Sequence, residues 1–291
     1  MFSTIDGIIS DLIATKEQKL VERIQSLNSA IVAYSGGVDS ALLAYYVKEL
    51  LGDKAKVVIA VSPSLAEDDL DAARAQATMF DWNLVEINTD EFENESYQRN
   101  DDMRCFHCKA TLFEELAAMA KAEGFDSIVY GANADDVSDF RPGRLAAQQF
   151  NVIAPLEEVG LTKTEVRNLA RKNGLPSWDR PANACLSSRI PRDIPVTIDS
   201  ISQVELSERF IKTLGFEVVR VRHHGGKAVV EIGQEELGRL KVEPCLVNKI
   251  ENALVDIGFE EIIIDPRGYR MGSANSRTHD HAIPAVSVAI R

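Results

Sequence analysis

Apolar positions in the first 175 residues alternate between short β-rich runs and longer stretches with helical spacing. The β-rich runs predict strands at residues 31–34, 56–61, 83–87, 127–131 and 151–155. The other stretches predict helices, which include residues 3–28, 40–51, 67–80 and 108–123. Strand–helix alternation of this kind is typical of an α/β fold with a parallel sheet covered on both faces. Ligands of such sheets bind beyond the carboxyl ends of the strands.

The alternation stops in a proline-rich segment, residues 176–198, which predicts a linker or an ordered functional loop. Residues 199–270 then predict a second, smaller α+β domain with a helix, a hairpin, two short helices and a last strand. The helix is predicted at residues 199–214, the two hairpin strands at 217–223 and 227–232, and the last strand at 260–265. The hairpin turn is predicted at 224–226. The first domain is therefore predicted to span residues 1–175, and residues 271–291 form a tail without an assigned structure.

Charge and cysteine content narrow the class of protein. The 291 residues carry 45 acidic and 32 basic side chains, a formal net charge of −13. A chain this acidic is a poor electrostatic partner for a phosphate backbone, which argues against nucleic acid. No apolar run approaches the length of a membrane span, and the opening stretch is unlike a signal peptide. We therefore expect no membrane partner. Four cysteines exclude a disulfide-dense scaffold, so we expect a protein of the reducing cytoplasm.

The most informative segment is S-G-G-V-D-S at residues 35–40, which follows the first predicted strand and opens a helix. Gly36 and Gly37 let backbone N–H groups turn toward a ligand without a Cβ in the way. Ser35 and Ser40 add hydroxyl donors, and the helix start adds unpaired N–H groups and a positive dipole end. The segment predicts a nucleotide phosphate site, although it lacks the lysine of a G-x-x-x-x-G-K-S/T loop. A tight strand–helix turn with an N-cap is the simpler interpretation.

Three of the four cysteines lie in segments that indicate chemistry. Cys105 and Cys108 form a C-x-x-C pair, and Cys185 lies in the proline-rich segment. In a reducing compartment such a pair is a redox couple, part of a metal site or a coincidence. With Cys185 it could form a zinc site that uses His107, or hold a 4Fe–4S cluster with one iron open to exogenous sulfide. Cys185 could instead act alone as a nucleophile near Arg189.

Charged residues of the second domain suggest a further anion site. Arg220 and Arg222 share one strand face, and arginine binds phosphate and carboxylate groups bidentately. Pairing across the hairpin with an acidic residue such as Glu231 is the simpler interpretation. We expect Cys245 to be a buried core thiol and the histidines at 223–224 to be exposed hairpin residues.

Four segments together carry a family resemblance. S-G-G-V-D-S occurs throughout the PP-loop ATP pyrophosphatase superfamily, whereas the other three form a narrower combination. They are R-P-G-R at residues 141–144, C-L-S-S-R at 185–189 and V-R-V-R at 219–222. With them the chain resembles the LarE-type ATP-dependent sulfur transferases of nickel-pincer nucleotide cofactor synthesis, over nearly all its length except the tail. The resemblance implies a PP-loop domain of the adenine nucleotide alpha hydrolase-like fold.

The resemblance also implies a reaction. ATP, with Mg²⁺, adenylates a carboxylate of pyridinium-3,5-biscarboxylic acid mononucleotide and releases pyrophosphate, and a sulfur nucleophile then displaces AMP to leave a thiocarboxylate. The catalytic residues would be Cys185, Asp39, which helps to organise Mg²⁺, and Lys109, which steadies the α-phosphate. The implied ATP-binding residues are Ser35, Gly36, Gly37, Asp39, Ser40, Ser62, Gly131, Asn133 and Arg141. The implied substrate-binding residues are Arg189, Arg220, Arg222 and Glu208, the last as a partner of an arginine or of Mg²⁺.

Two branches of this family differ in their source of sulfur. In one, a single cysteine that matches Cys185 gives up its own sulfur and becomes dehydroalanine. In the other, cysteines that match Cys105, Cys108 and Cys185 hold a 4Fe–4S cluster that carries an extra sulfide. Because this sequence has all three, it favours the cluster branch. The family further suggests a homo-oligomer, a hexamer built from trimers.

Three other activities compete with this interpretation. PP-loop tRNA 2-thiolation also uses three cysteines around a cluster, but the net charge of −13 favours a small nucleotide substrate. Ligation of ammonia, as in NAD or GMP synthetases, would need a source of ammonia, and the chain shows no amidotransferase domain. A nucleotide-sensing module with a structural zinc site is the non-enzymatic alternative.

Overall fold

The chain folds into two compact units. The computed structural model describes residues 2–137, 142–181 and 184–270, with side chains from residue 11 onward except that of residue 137. The first unit comprises Met1–Ser62, Glu67–Glu91 and Cys105–Asn183. The second unit comprises Pro63–Ala66, Phe92–Arg104 and Ala184–Arg291. Two short segments from the first half of the chain therefore belong to the second unit.

The first unit is built on a parallel four-stranded sheet. Its strands are β1 (Ala30–Tyr34), β2 (Ala55–Val61), β3 (Val85–Asn88) and β4 (Ser127–Tyr130), in the order β3-β2-β1-β4. All three pairings are parallel, and Ala33 of β1 lies opposite Val58 on one side and Tyr130 on the other. Every residue of β1 is buried, as expected for a central strand covered on both faces. The predicted α/β class is confirmed.

Helices alternate with these strands. Those described up to residue 172 are α1 (Phe2–Gln25), α2 (Val38–Leu51), α3 (Glu67–Met79), α4 (Glu95–Gln98), α5 (Arg104–Glu123), α6 (Pro142–Gln149), α7 (Pro155–Glu158) and α8 (Lys163–Lys172). The helix predicted at 108–123 thus begins four residues earlier. Phe113 and Leu116 of α5 pack with Ile31 and Ile128 of the sheet in one core of the first unit. None of the described helices has the length and hydropathy to span a membrane.

The strand predicted at residues 151–155 is wrong. Only Ile153 pairs with the sheet, through an isolated parallel bridge to Val129. The backbone N–H of Val152 donates instead to Ala147 at the end of α6, at 2.8 Å. Pro155 then occupies the first turn of α7, where its missing N–H costs nothing. The run has strand-like composition, but only Val152 and Pro155 are buried, and the two neighbouring helices leave one residue for pairing.

The second unit carries a three-stranded mixed sheet. Its strands are β5 (Val219–His223), β6 (Lys227–Ile232) and β7 (Glu261–Ile264), in that order, and β5–β6 is antiparallel whereas β6–β7 is parallel. Its later helices are α9 (Ile198–Thr213), α10 (Leu237–Val242) and α11 (Pro244–Ile257). A separate hydrophobic core joins β5 and β6 to α11. Of the two short helices predicted here, only α10 is short.

Two side chains of this unit differ from expectation. Cys245 is exposed, because the core face of α11 consists of Leu246, Ile250 and Leu254, and Cys245 lies beside that face. His223 is buried: its Nε2 lies 2.9 Å from the side-chain oxygen of Gln203. Its position in the last pair of the β5–β6 ladder, rather than in the turn, explains this burial.

Burial should make His223 a source of acid sensitivity. It lowers the pKa of the imidazole in the folded chain. The unfolded chain takes up this proton near pH 6.5, whereas the folded chain does so only at lower pH, so the free energy of unfolding should fall as pH drops through about 6.5. In urea unfolding between about pH 7.5 and 5.5, the free energy of unfolding of His223→Gln should depend less on pH than that of the wild type. The control is His224→Gln, at the neighbouring half-exposed position, which should keep the wild-type dependence; equal slopes for all three proteins would contradict this assignment.

Candidate active site

The loop at residues 35–40 closes on itself through its two serines. The backbone N–H of Ser35 donates to Oγ of Ser40 at 3.1 Å, and that hydroxyl donates to the carbonyl of Gly37 at 3.0 Å. Gly36 has φ +75°, a left-handed conformation that favours glycine. Gly37 is the N-cap of α2 and has no side chain to cap the first amides. The loop therefore presents a helix N-terminus suited to an anion.

The end of β4 touches the first turn of α2. A Cβ added at Gly131 would lie 2.4 Å from the backbone N of Ser40 and 2.7 Å from the carbonyl carbon of Asp39. Such distances are far below van der Waals contact, so only glycine allows this approach. The contact brings the segment after β4 to the carboxylate at the start of α2.

Asp39 is the centre of the resulting polar cluster. Nδ2 of the buried Asn133 donates to its Oδ1 at 3.1 Å, and Nζ of Lys163 forms an ion pair with its Oδ2. Lys163 begins α8, and its backbone N–H donates to Asp135 at 2.8 Å. The predicted residues Asp39, Gly131 and Asn133 are thus brought together.

Lys163 is not among the residues predicted from the sequence. The local signal available was the capping box of Thr162 and Glu165, which marks the start of a helix at this lysine. Nothing local indicates that its ammonium group reaches Asp39, 124 residues earlier in the chain. Its place beside Asp39, in the loop at residues 35–40, makes it a candidate for neutralising the charge of a bound anion.

Lys109, on α5, contacts Tyr130, the last residue of β4. Its Nζ is 4.8 Å from the ring centroid of Tyr130, and a Cβ added at Gly143 would lie 2.7 Å from its Cδ. The side chain is half-buried rather than spread on the helix surface. Ser62 is half-buried just after the end of β2. The predicted Arg141 lies outside the described residues.

Arg189 holds the backbone around Cys185. It is 2% exposed and forms a double hydrogen bond with Glu208, from Nε to Oε1 at 3.0 Å and from Nη2 to Oε2 at 3.1 Å. Its Nη1 donates to the carbonyl of Cys185 at 3.1 Å and also to that of Ala184. Glu208 also accepts from the backbone N–H of Val221. Buried charges need such complete pairing.

Arg222 and Arg220 differ in their surroundings. Arg222 pairs with Glu231, from Nη2 to Oε2 at 2.9 Å, as the simpler interpretation expected, and its Nη1 donates to the carbonyl of Ser188. The guanidinium of Arg220 stacks over the ring of Tyr269 at 5.2 Å. Burial, together with the positive charge of Arg189, lowers the pKa of Arg220. An anion bound beside Arg220 would relieve this repulsion.

The cysteines divide between the units. Cys105 and Cys108 lie near the start of α5, three residues apart on one helix side, and both are partly exposed. Cys185 is exposed at the N-cap of the short helix Leu186–Arg189, in the second unit. Among the described residues, no three or more His, Cys, Asp or Glu side chains are grouped so that they could hold a metal ion.

Similarity to known proteins shows the family to which the chain belongs. The NAD synthase family matches residues 9–139. The pyridinium-3,5-bisthiocarboxylic acid mononucleotide synthase of Lactiplantibacillus plantarum is 31% identical over 264 residues, which cover 90% of this chain and 95% of that protein. The chain belongs to the LarE-type family of PP-loop proteins. As a family member it is an ATP-using enzyme.

Two uncharacterized proteins are similar along most of their length. One from Synechocystis is 35% identical over 264 residues, 91% of this chain and 98% of that protein. One from Methanocaldococcus jannaschii is 28% identical over 240 residues, 82% of this chain and 90% of that protein. The match to these relatives therefore extends over both units and is not confined to the PP-loop.

The Gly131 contact gives a direct test of the ATP site. Gly131→Ala forces a Cβ against the first turn of α2, so ATP-dependent pyrophosphate release should fall at least about tenfold, with destabilisation of about 1–3 kcal/mol. Gly238→Ala is the matched control, because a Cβ there meets nothing within 4 Å. Pyrophosphate assays and thermal unfolding give the two readouts. Wild-type turnover in Gly131→Ala would exclude the contact as a requirement.

Lys163 can be tested against a lysine on the same helix. Lys163→Met removes the positive charge beside Asp39 and should lower kcat for pyrophosphate release about tenfold or more. Lys172→Met removes an exposed ion pair with Glu17 at the other end of α8 and should leave kcat within about twofold. Equal effects of the two substitutions would show that Lys163 only stabilises the helix.

Proposed function

We propose that this enzyme adenylates a carboxylate of pyridinium-3,5-biscarboxylic acid mononucleotide with ATP and converts it to a thiocarboxylate, in nickel-pincer nucleotide cofactor synthesis. The observation that carries the proposal is the match to the bisthiocarboxylic acid mononucleotide synthase over 95% of that protein. A carboxylate resists a sulfur nucleophile until its oxygen becomes part of a good leaving group. Transfer of AMP to that oxygen, with departure of pyrophosphate, provides one.

The first unit supplies the groups that this step needs. The loop amides at the start of α2 would bind the departing pyrophosphate, and Lys163 would offset its charge. Lys109, beside Tyr130, would contact the α-phosphate. Asp39 fits a Mg²⁺ ion, because a carboxylate oxygen at a phosphate loop is the ligand that this cation prefers, and Mg²⁺ would supply charge neutralisation.

The second unit supplies arginines for the mononucleotide. Arg220 is the first candidate for its phosphate or second carboxylate, because burial and then the charge of Arg189 lower the pKa of Arg220, and a bound anion would favour its charged form. Arg222, paired with Glu231, is the second. Arg189 is bonded both to Glu208 and to the backbone carbonyl of Cys185, so we assign this pair to holding the turn. The net charge of −13 favours this small nucleotide over tRNA.

We propose Cys105, Cys108 and Cys185 as the ligands of a 4Fe–4S cluster. The donor set fits in its chemistry, since three thiolates leave one iron free, and two of them are one helical turn apart. The cluster would supply the transferred sulfide on that iron. Direct attack by Cys185, with loss of its own sulfur, is the alternative source, and the exposure of its side chain supports it equally.

Mass spectrometry of product and protein tests this function. Anaerobically purified enzyme with ATP, Mg²⁺ and the mononucleotide should give AMP, pyrophosphate and a product in which sulfur replaces one carboxylate oxygen. Cys185→Ala should abolish the thiocarboxylate, whereas Cys245→Ala, at the other exposed thiol of the second unit, should not. Tight, salt-sensitive tRNA binding, with no thiocarboxylate formed from the mononucleotide, would instead support tRNA thiolation.

Iron analysis on the same samples decides the sulfur source. The cluster predicts iron and acid-labile sulfide in the protein, and Cys105→Ala and Cys108→Ala variants that lose both iron and sulfur transfer. An iron-free enzyme that remains active, with Cys185 lighter by one H₂S after a single turnover, would overturn the cluster and establish the sacrificial route.

A further inference from the structure

Residues 184–189, which contain Cys185 and the short helix Leu186–Arg189, form what we call the Cys185 turn, and its backbone is bonded to other parts of the second unit. The backbone N–H of Leu186 donates to the carbonyl of Ser64 at 2.8 Å, and Arg189 donates to the carbonyl of Cys185. The Cys185 side chain remains exposed. A fixed backbone under an accessible thiol is what a transfer reaction requires, because a small displacement of the reacting atom lowers the rate steeply.

A distant segment of the same unit, residues 92–104, holds the residues that follow this turn. Asn100 in that segment is 0% exposed. Its Nδ2 donates to the carbonyl oxygens of Pro191 at 2.7 Å and Ile194 at 2.8 Å, and lies 3.2 Å from that of Ile190. The side-chain amide of Asn100 therefore binds three carbonyls of residues 190–194, which belong to no strand or helix.

Two neighbours of Asn100 extend the contact to the turn itself. Nη1 of the buried Arg104 donates to Oδ1 of Asn100 at 2.5 Å and to the carbonyl of Ser187 at 2.7 Å. The hydroxyl oxygens of Tyr97 and Ser187 lie 2.6 Å apart in the interior. We call Tyr97, Asn100, Arg104 and Ser187 the turn clamp. Buried networks of this kind favour one arrangement when their groups are satisfied.

The chemistry of position 100 is specific to asparagine. Its φ of +57° is left-handed, which asparagine tolerates better than most residues with a Cβ. Its amide can donate to carbonyls and accept from Arg104 at once, whereas an ionised aspartate of nearly the same shape can only accept. An aspartate here would set its negative charge against the carbonyls of Ile190, Pro191 and Ile194.

We propose that Asn100 and Arg104 are positioning residues for sulfur transfer, which act by fixing the backbone of the Cys185 turn. The inference rests on the proposed function, since it gives the clamp a role in the second half of that reaction. Arg104 is also the residue directly before Cys105, so substitutions there alter both cysteine-bearing segments of the chain. Asn100 is therefore the cleaner residue to change.

The test compares Asn100→Asp with Asn151→Asp in the full-length enzyme. Asn151 is also left-handed, with φ +53°, but it is exposed in the first unit and outside the proposed site. In Asn100→Asp, hydrogen exchange of amides in residues 186–196 should quicken about tenfold, while those of α11 stay unchanged. The kcat for thiocarboxylate formation should fall about tenfold, with the KM for ATP and the rate of pyrophosphate release within about twofold. Asn151→Asp should leave the exchange rates, the kcat, the KM for ATP and the rate of pyrophosphate release unchanged.

The outcomes separate the clamp from the proposed function. Unchanged exchange in residues 186–196 overturns the clamp, whatever the activity. Faster exchange with an unchanged kcat for thiocarboxylate formation overturns the positioning role. If the wild-type enzyme forms no thiocarboxylate, the proposed function fails, and the exchange data still decide whether the clamp exists. Should Asn100→Asp unfold, as faster exchange in α11 would reveal, the milder Tyr97→Phe replaces it and should shift both readouts in the same direction.

Discussion

The first unit depends on the contact between the backbone at the end of β4 and the first turn of α2. Gly131 lacks the Cβ that would strike Ser40 and Asp39, so the segment after β4 reaches the helix start. Parallel pairing of β1 with β4 sets their carboxyl ends side by side, which makes this approach possible. The bond from Asn133 to Asp39 follows from it. One steric condition thus assembles the anion loop with its carboxylate.

In the second unit, two buried ion pairs hold the segment that contains Cys185. The Arg189–Glu208 and Arg222–Glu231 pairs are both removed from water, so each would cost stability if a partner were lost. Both arginines also donate to backbone carbonyls of the Cys185 turn, Arg189 to Cys185 and Arg222 to Ser188. The turn is therefore attached to α9 and to the β5–β6 hairpin by charged hydrogen bonds, which are stronger than neutral ones.

Several wrong expectations share a physical cause. Cys245 was expected in the core because cysteine is usually buried, but its helix turns Leu246 inward instead. His223 was expected in solvent because it borders a turn, yet it ends a paired strand. The run at 151–155 has strand-like composition, but helices on both sides take its backbone partners. In each case the expectation followed the usual preference of the residue type, and the packing of a neighbouring element decided the actual environment.

The sequence by itself determined the parallel α/β class and the family, and it singled out the loop at 35–40, because these depend on periodicity and on residues adjacent in the chain. It also indicated the separate second domain through the change of pattern after residue 175. Only the tertiary structure decided that Lys163 pairs with Asp39 and that Asn100 holds the segment after Cys185. These partners are separated by 124 residues and by about 90 residues. No local pattern encodes such contacts, because sheet order and loop packing determine which distant polar groups are buried together.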